Sequence, residues 1–439
     1  MKQLQQLIKS KKAKVGIIGL GYVGLPTAVE VAKAGFQVFG VDIKKERVNS
    51  VNRGKSYIVD VDSQDLKSVV NTKKLKAFNN HKVLQNCDVV LICVPTPLDK
   101  NKIPDVYYIK KTTEEIAKHI HKEELIVLES TSYPGTTREI ILFGLRKTGL
   151  SVGRDFFLAF SPERIDPGNK KYKLKNTPRV VGGITKKCTR VATQFYRSFL
   201  DAKVYPVSSP ETAEMTKILE NTYRLVNISM INELALLCGK MGIDIWEVIE
   251  SAKTKPYGFT SFYPSPKVGG HCIPLDPFYL EWKAKEYNFW TRFIELAGEI
   301  NEQMPHYVVT RVITFLNRDK KPINGSKILV WGVAYKKDIA DSRESAAYDI
   351  IQDLLKKGAK IDYFDPYIKR FEIKNHRLAK PIILNSIKYS PKILKKYDLV
   401  LILVDHSGFD YNEIAKNAKL VVDTRNAIKQ RKYKNVSWW

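Results

Sequence analysis

Acidic side chains are in short supply in this chain: 46 aspartates and glutamates stand against 73 lysines and arginines in 439 residues, a formal net charge of +27. Cysteine is scarcer, with five residues (Cys87, Cys93, Cys188, Cys238 and Cys272). Their number is odd, and they form neither a CxxC pair nor a cluster with histidine, which argues against a disulfide framework and a structural zinc. Long apolar runs are missing. None approaches the ~20 residues of a membrane span, and Met1 to Lys14 is polar and lysine-rich, without the apolar centre of a signal peptide. The expectation from these absences is a cytoplasmic protein with no metal and no membrane partner. Low-complexity tracts are also lacking, and the basic residues are scattered instead of concentrated in one arm or helix. The positive charge therefore reads as a solvated lysine-rich surface or as attraction to a small polyanion, and nucleic acid is not expected as a partner.

What is present is ordinary globular material, 44% hydrophobic and 27% charged, in a chain too long for a single core. Lys14 to Ile18 is a short apolar strand that runs into glycines and then into Leu25 to Gly35, which has helical spacing. Strand patterns follow at Gln37 to Val41, Asp88 to Val94, Leu125 to Glu129 and Phe157 to Phe160, with helical patterns such as Tyr108 to His121 between them. Such alternation implies a doubly wound parallel sheet. From Ser209 to about Gly242, Pro210 at a helix start and the apolar-periodic stretch Met215 to Leu237 predict a long connecting helix. Its apolar residues Leu225, Ile228, Ile231, Leu234 and Leu237 suit either a subunit interface or burial within the chain.

Beyond Pro322 a second alternation begins, with strands at Lys327 to Trp331, Lys360 to Phe364, Leu399 to Val404 and Leu420 to Val422 and a helix at Ala346 to Lys357. It echoes the first: Lys327-Ile-Leu-Val-Trp-Gly332 resembles Lys14-Val-Gly-Ile-Ile-Gly19, and Asp398 to Val404 resembles Asp88 to Val94. The expected fold is α/β, two Rossmann-like doubly wound parallel-sheet domains joined by a long central helix and a helical middle domain. The expected boundaries are 1–205, 206–315 and 316–439, with the middle part available for a homodimer or higher homo-oligomer.

Five groups of residues carry chemistry. Gly19, Gly21 and Gly24 form GxGxxG after a strand and at the mouth of a helix, with Tyr22 and Val23 inside the turn. Missing side chains there let backbone amides approach a pyrophosphate. Asp42, at the end of the next strand, is placed to accept ribose hydroxyls and repel a 2′-phosphate, which puts NAD ahead of NADP, while Lys44, Lys45 and Arg47 keep NADP open. Second, Val268-Gly-Gly-His-Cys272 precedes Asp276; Gly269 and Gly270 permit close approach of backbone to a ligand. His271 would point away from Cys272 in an extended segment, so a Cys-His dyad is not expected. Third, Lys217 and Asn221 lie one helical turn apart and could hold an oxyanion from one face. Fourth, Glu163 follows a strand of the first sheet, where a carboxylate could handle a proton. Lys336 and Arg343 follow the first strand of the second sheet and could pair with phosphates; without the GxGxxG glycines, this copy is expected to hold something other than a dinucleotide.

In order and in wording, these motifs resemble the UDP-glucose/GDP-mannose dehydrogenase family, from the first strand to about Arg425. Thr254-Lys-Pro-Tyr-Gly-Phe259 and Gly269-Gly-His-Cys-Ile-Pro-Leu-Asp-Pro-Phe-Tyr-Leu280 look most like its UDP-N-acetylglucosamine 6-dehydrogenase branch, and Leu275 stands where UDP-glucose enzymes usually carry lysine. The resemblance implies Cys272 as nucleophile, Lys217, Asn221 and Asp276 around the reacting carbon, and Glu163 in acid/base work. It implies NAD contacts from Val23, Asp42, Arg47, Thr96, Thr131 and Arg343, with Thr131 beside the nicotinamide. UDP-sugar contacts are implied for Lys336 and Arg425, with Glu163, Lys217, Asn221 and Gly269 also at the substrate. Some members carry a second acidic residue where this chain has Pro167, next to Asp166. The implied reaction is a four-electron oxidation of a C6 alcohol to a uronate through a thiohemiacetal and a thioester, for surface polysaccharide precursors. UDP-N-acetylmannosamine, UDP-N-acetylgalactosamine and UDP-glucose are alternative substrates. Two other classes are weighed: a nonenzymatic NAD-sensing nucleic-acid-binding regulator, which lacks a clustered basic face, and a cysteine acyltransferase or hydrolase, which has no use for the dinucleotide turn.

Overall fold

The computed structural model describes every residue except Val59, Lys100, Pro167, Lys170, His271, residues 374–380 and Trp439. The chain divides into two compact units, Met1–Glu220 with Phe278–Trp290, and Asn221–Pro277 with Thr291–Trp439.

The first unit is built on eight strands: β1 Lys14–Ile18, β2 Gln37–Val41, β3 Leu75–Phe78, β4 Val89–Ile92, β5 Glu124–Leu128, β6 Phe156–Phe160, β7 Arg179–Gly183 and β8 Val204–Val207. Their order is β3-β2-β1-β4-β5-β6-β7-β8. Every pair is parallel except β6 with β7, so the expected parallel sheet acquires one antiparallel neighbour, beyond the strands anticipated from sequence. Both faces are covered: Val15, Ile17, Val89 and Leu91 pack into one core, whereas Ile18, Val90 and Ile92 pack into another. That is why these strands read as unbroken apolar runs. The chain reverses its winding direction between β1 and β4, and the glycine turn lies at that switch point. The polar amino terminus is also structured, as a helix Lys2–Lys9 that buries Leu4 and Ile8.

The second unit contains β9 Lys327–Trp331, β10 Lys360–Phe364, β11 Arg370–Ile373, β12 Ile382–Asn385, β13 Leu399–Ile402, β14 Val421–Asp423 and β15 Val436–Ser437. Five form a parallel sheet in the order β10-β9-β13-β14-β15, and β11 with β12 makes a separate antiparallel pair that was not anticipated. The echo between the two ends extends to individual contacts. Asp88 accepts from the Lys14 amide at 2.7 Å and Asp398 from the Lys327 amide at 2.8 Å. The amides of Gly19 and Gly332 each donate across to the preceding residue's partner strand, to Val41 and Phe364, at 2.8 Å.

The connecting helix runs Pro210–Met241, 32 residues, longer than its periodic centre. Leu225 and Ile231 are buried, while Leu234 and Leu237 are 41% and 50% exposed, so the apolar residues serve more than one environment. No helix among the described residues is long and apolar enough to cross a membrane.

Burial leaves a pH signature in the first sheet. Desolvation pushes the Glu124 carboxyl up to about 8, with the His121 amide opposing and Asp88 adding to the rise. Its folded value exceeds its unfolded one, so the stability it contributes is full at low pH and is lost as pH rises through about 8. Glu124→Gln should therefore melt with the parent at pH 4 and above it, by about 2 °C or more, at pH 8.5; a variant that melts below the parent at pH 8.5 contradicts the assignment.

Candidate active site

In the first unit, the glycines divide by what a side chain would meet. A Cβ on Gly19, whose φ is +91°, would lie 2.4 Å from the Cys93 carbonyl oxygen, and one on Gly24 would lie 1.9 Å from the Gly19 carbonyl oxygen. Those two glycines are demanded by the fold. A Cβ on Gly21 would meet nothing within 4 Å, so the room at Gly21 is needed only by something that approaches its amide. Val23 is buried, Tyr22 is 37% exposed, and the helix Gly24–Lys33 opens at this turn. Asp42 is buried after β2; its Oδ2 accepts from the Leu20 amide at 2.9 Å and from Arg47 Nη1 at 3.2 Å, and its Oδ1 from the Lys44 amide at 2.9 Å. Arg47 is thus tied to a carboxylate. An open amide cradle with an acidic group at the end of β2 fits a dinucleotide such as NAD.

Thr96 and Thr131, from the ends of β4 and β5, are joined by a bond of 2.6 Å from Thr96 Oγ1 to the Thr131 carbonyl. The phenol of Tyr279 donates to the Thr96 carbonyl, an anchor that sequence reasoning missed. Glu163 is buried after β6; its Oε1 accepts from the Arg164 and Ile165 amides at 2.6 and 2.7 Å. Lys217 is only 8% exposed, and its ammonium makes no hydrogen bond or ion pair among the described residues. A buried cation in that condition suits an oxyanion or a ligand oxygen.

In the second unit, Asn221 and Asp276 meet: Asn221 Nδ2 donates to Asp276 Oδ2 at 2.6 Å, with both residues buried. The Asp276 amide donates to the Cys272 carbonyl at 2.8 Å, and the Leu275 amide does so at 3.1 Å. Cys272 sits half-buried on this turn, outside any disulfide. The glycines before it are explained by what they touch. A Cβ on Gly269 would lie 2.7 Å from the Glu344 carbonyl and 2.8 Å from Tyr335 Cβ, and one on Gly270 (φ +84°) 2.9 Å from the Tyr335 ring. The Gly270 amide donates to the Arg343 carbonyl at 3.1 Å. His271 lies outside the described residues.

Lys336 and Arg425 line one recess with Lys267, Tyr335 and Lys337. Arg425 Nε is held by Asp405 at 3.2 Å, and Arg343 is clasped by Asp341 at 2.6–3.1 Å. At the end of β10, Asp365 accepts from the Val333 and Ala334 amides and from His406 Nε2 at 2.8–3.1 Å. Burial works against its ionisation, yet His406 and the backbone amides outweigh it and hold the carboxyl below the usual range. Asp365 corresponds to Asp42, but a histidine already occupies it, and Ala334 stands where the first copy has Gly21. The second copy therefore lacks the glycine that keeps the first turn open.

An open glycine turn with an aspartate after the next strand suits a dinucleotide-dependent enzyme. Residues 13–200 match the NAD binding domain of the UDP-glucose/GDP-mannose dehydrogenase family, 211–303 its central domain and 329–430 its UDP binding domain. The chain belongs to this family; it is an NAD-dependent oxidoreductase of UDP-sugars, which sets aside the regulator and the acyltransferase. It is 34% identical to the UDP-N-acetyl-D-mannosamine dehydrogenase of Methanococcus vannielii, covering 98% of this chain and 96% of that one. It is likewise 34% identical to the UDP-N-acetyl-D-glucosamine 6-dehydrogenase of Pseudomonas aeruginosa, over 96% and 97%. The solved UDP-D-ManNAc dehydrogenase of Pyrococcus horikoshii superposes with a TM-score of 0.87 at 31% identity, over 97% and 98% of the chains.

The glycine geometry yields a test. Gly21→Ala should fold and melt like the parent yet bind NAD about tenfold more weakly, ~1.4 kcal/mol, whereas Gly24→Ala should lose stability as well. Calorimetric titration of NAD into Gly21→Ala decides it, and an unchanged affinity contradicts the cradle.

Proposed function

We propose that the chain oxidises the C6 hydroxyl of UDP-N-acetylglucosamine to UDP-N-acetylglucosaminuronate, as a precursor of surface polysaccharide. The observation that carries the reading is the buried Asn221–Asp276 bond of 2.6 Å, which fixes the turn bearing Cys272. The alcohol loses a hydride and a proton to become the aldehyde. The Cys272 sulfur then adds to the carbonyl carbon, and the oxygen takes a proton, giving a thiohemiacetal. Loss of a second hydride and a proton leaves the thioester; water attacks its carbon, the C–S bond breaks, and the uronate and the thiol are released. NAD supplies the oxidising power, each of two molecules accepting one hydride.

The residues of this chain have distinct tasks in that sequence. Lys217, buried and unpaired among the described residues, stabilises negative charge on the reacting oxygen together with Asn221, an effect typically worth ~3 kcal/mol per donor. Glu163 handles the proton of the attacking water, and Thr131 borders the nicotinamide. Lys336 and Arg425 take the diphosphate side of the substrate, Arg343 contributes to NAD, and Gly269 leaves room for the sugar. We assign residues 1–205 to NAD, 206–315 to the middle helical part and 316–439 to the UDP-sugar. The exposed Leu219, Tyr223, Met230, Leu234, Leu237 and Met241 of the helix Pro210–Met241 support pairing in a homodimer or larger homo-oligomer. A cytoplasmic location follows from the nature of the two nucleotide substrates.

The acetamido substrate is supported by the wording around Cys272 and by the names of the relatives. A second reading, UDP-N-acetylmannosamine, is favoured by the relatives of M. vannielii and P. horikoshii. NADH formation measured with the gluco, manno and galacto UDP-N-acetylhexosamines and with UDP-glucose separates them: kcat/KM is expected to be highest for UDP-N-acetylglucosamine, and a higher value for the manno epimer transfers the assignment to it. Cys272→Ser should lower uronate production by at least ~10³-fold while both nucleotides still bind; normal uronate output from that variant would refute the nucleophile.

A further inference from the structure

Behind Glu163 lies a closed group of ionisable side chains to which the reaction above gives no task. Arg179, the first residue of β7, is 2% exposed. Its Nη2 is 2.9 Å from Glu163 Oε2 and 3.5 Å from Glu129 Oε1, while Nη1 donates to the Pro162 carbonyl at 2.6 Å. Glu129, 1% exposed at the end of β5, accepts from the Tyr196 phenol at 2.5 Å and from the Cys93 thiol at 3.7 Å. Tyr196 comes from the helix Lys186–Arg197 and stacks its ring 5.3 Å from the Arg179 guanidinium. Cys93 is the residue whose carbonyl abuts Gly19. Arg164, next to Glu163 in the chain, pairs with Glu220 at 2.5 Å.

Two features point to function over stability. Removing a guanidinium and two carboxyls from water is costly, and apolar residues of the same volume would stabilise the fold as well or better. In addition, Glu163 Oε2 is buried and, although close to Arg179, receives no aligned hydrogen bond. Its negative charge is balanced by the Arg179 guanidinium, which holds this side of the carboxylate. Glu163 Oε1, by contrast, is fully engaged by two amides.

We propose that Arg179 is a positioning residue for the reaction: shared between Glu163 and Glu129, it fixes the orientation of the Glu163 carboxylate beside the attacking water. This rests on the reading of Glu163 as the group that handles the water proton. Burial opposes the charge on Arg179, but Glu163 and Glu129 more than compensate, so the cation persists. Burial pushes Glu129 up, with Arg179 pulling the other way. The two carboxyls therefore compete for one guanidinium, and the competition gives opposite signs for removal of its members.

The experiment is the pH profile of kcat, with KM for both nucleotides, in the full-length enzyme. Glu163→Gln should flatten the acid limb; if the limb is unchanged there, the reading of Glu163 itself fails, whatever Arg179 does. Given that flattening, Arg179→Gln should lower kcat by about tenfold to a hundredfold, within the range of a whole acid/base contribution. Both KM values should stay within about threefold, and the acid limb should move up by roughly one pH unit. Arg179→Lys keeps the charge but not the fork, so it should recover part of kcat and part of the limb position. Glu129→Gln removes the competitor and should leave the limb at or below its parental pH. Should Arg179→Gln fail to fold, Arg179→Lys and Glu129→Gln still decide. A parental kcat and limb in Arg179→Lys, or an upward movement in Glu129→Gln, overturns the proposal.

Discussion

Each parallel sheet depends on one contact: a buried aspartate at the end of the second strand accepts the amide of the residue after the glycine that ends the first. Asp42 takes the Leu20 amide at 2.9 Å, and Asp365 takes the Val333 amide at 2.8 Å. The contact is possible only because Gly19 and Gly332 adopt positive φ, +91° and +85°, with a neighbouring strand end where a Cβ would stand. A side chain at either glycine would push the first strand away from its neighbour and open the crevice in which such sheets hold ligands. The turn after the first strand, the direction of the following segment and the position of the aspartate are therefore one structural decision, made twice.

From that shared frame the two copies diverge in chemistry. In the first, Gly21 leaves its amide open and Asp42 keeps hydrogen-bonding capacity, which suits the pyrophosphate and ribose of NAD. In the second, His406 bonds to Asp365 at 3.1 Å, and the recess is lined by Lys267, Lys336 and Arg425. Cationic side chains are placed there where a phosphate could pair with them, the role proposed for Lys336 and Arg425. The residues proposed for the reaction hang from the same ends of the strands, Thr131 after β5 and Glu163 after β6, with Arg179 at the start of β7, which runs antiparallel to β6. Reversing β7 is what delivers the Arg179 guanidinium beneath Glu163.

Much of this was legible in the sequence. Gln37–Val41, Lys327–Trp331 and Lys360–Phe364 have the predicted bounds, because apolar runs ending in glycine or aspartate have sharp chemical edges. The repeat was visible too, down to Asp88 and Asp398. Other features were hidden for physical reasons. The helix Lys2–Lys9 anchors through only Leu4 and Ile8, too few apolar residues to stand out in a lysine-rich stretch. The antiparallel setting of β7 depends on tertiary pairing and leaves no mark in local periodicity. At the site, the glycines and Cys272 stood out by motif spacing and Lys217 and Asn221 by helical spacing; the setting of Lys217, Asn221 and Asp276 around a reacting carbon came from resemblance, and the Asn221–Asp276 bond from neither. Arg179 and Glu129 did not stand out, since a single arginine or glutamate at a strand end looks like a solvated charge until burial is known. Glu129 stands two residues before Thr131, the one hint that was available.

The central claim is that Cys272 carries the substrate covalently between the two oxidations. Its most direct test is to stop the working enzyme with acid during steady-state turnover of UDP-N-acetylglucosamine and NAD, then map the digest by mass spectrometry. The account predicts a uronyl adduct on the peptide containing Cys272, cleavable by hydroxylamine as a thioester should be. Steady turnover with that peptide unmodified, or with the adduct on Cys238 or another cysteine, would contradict it.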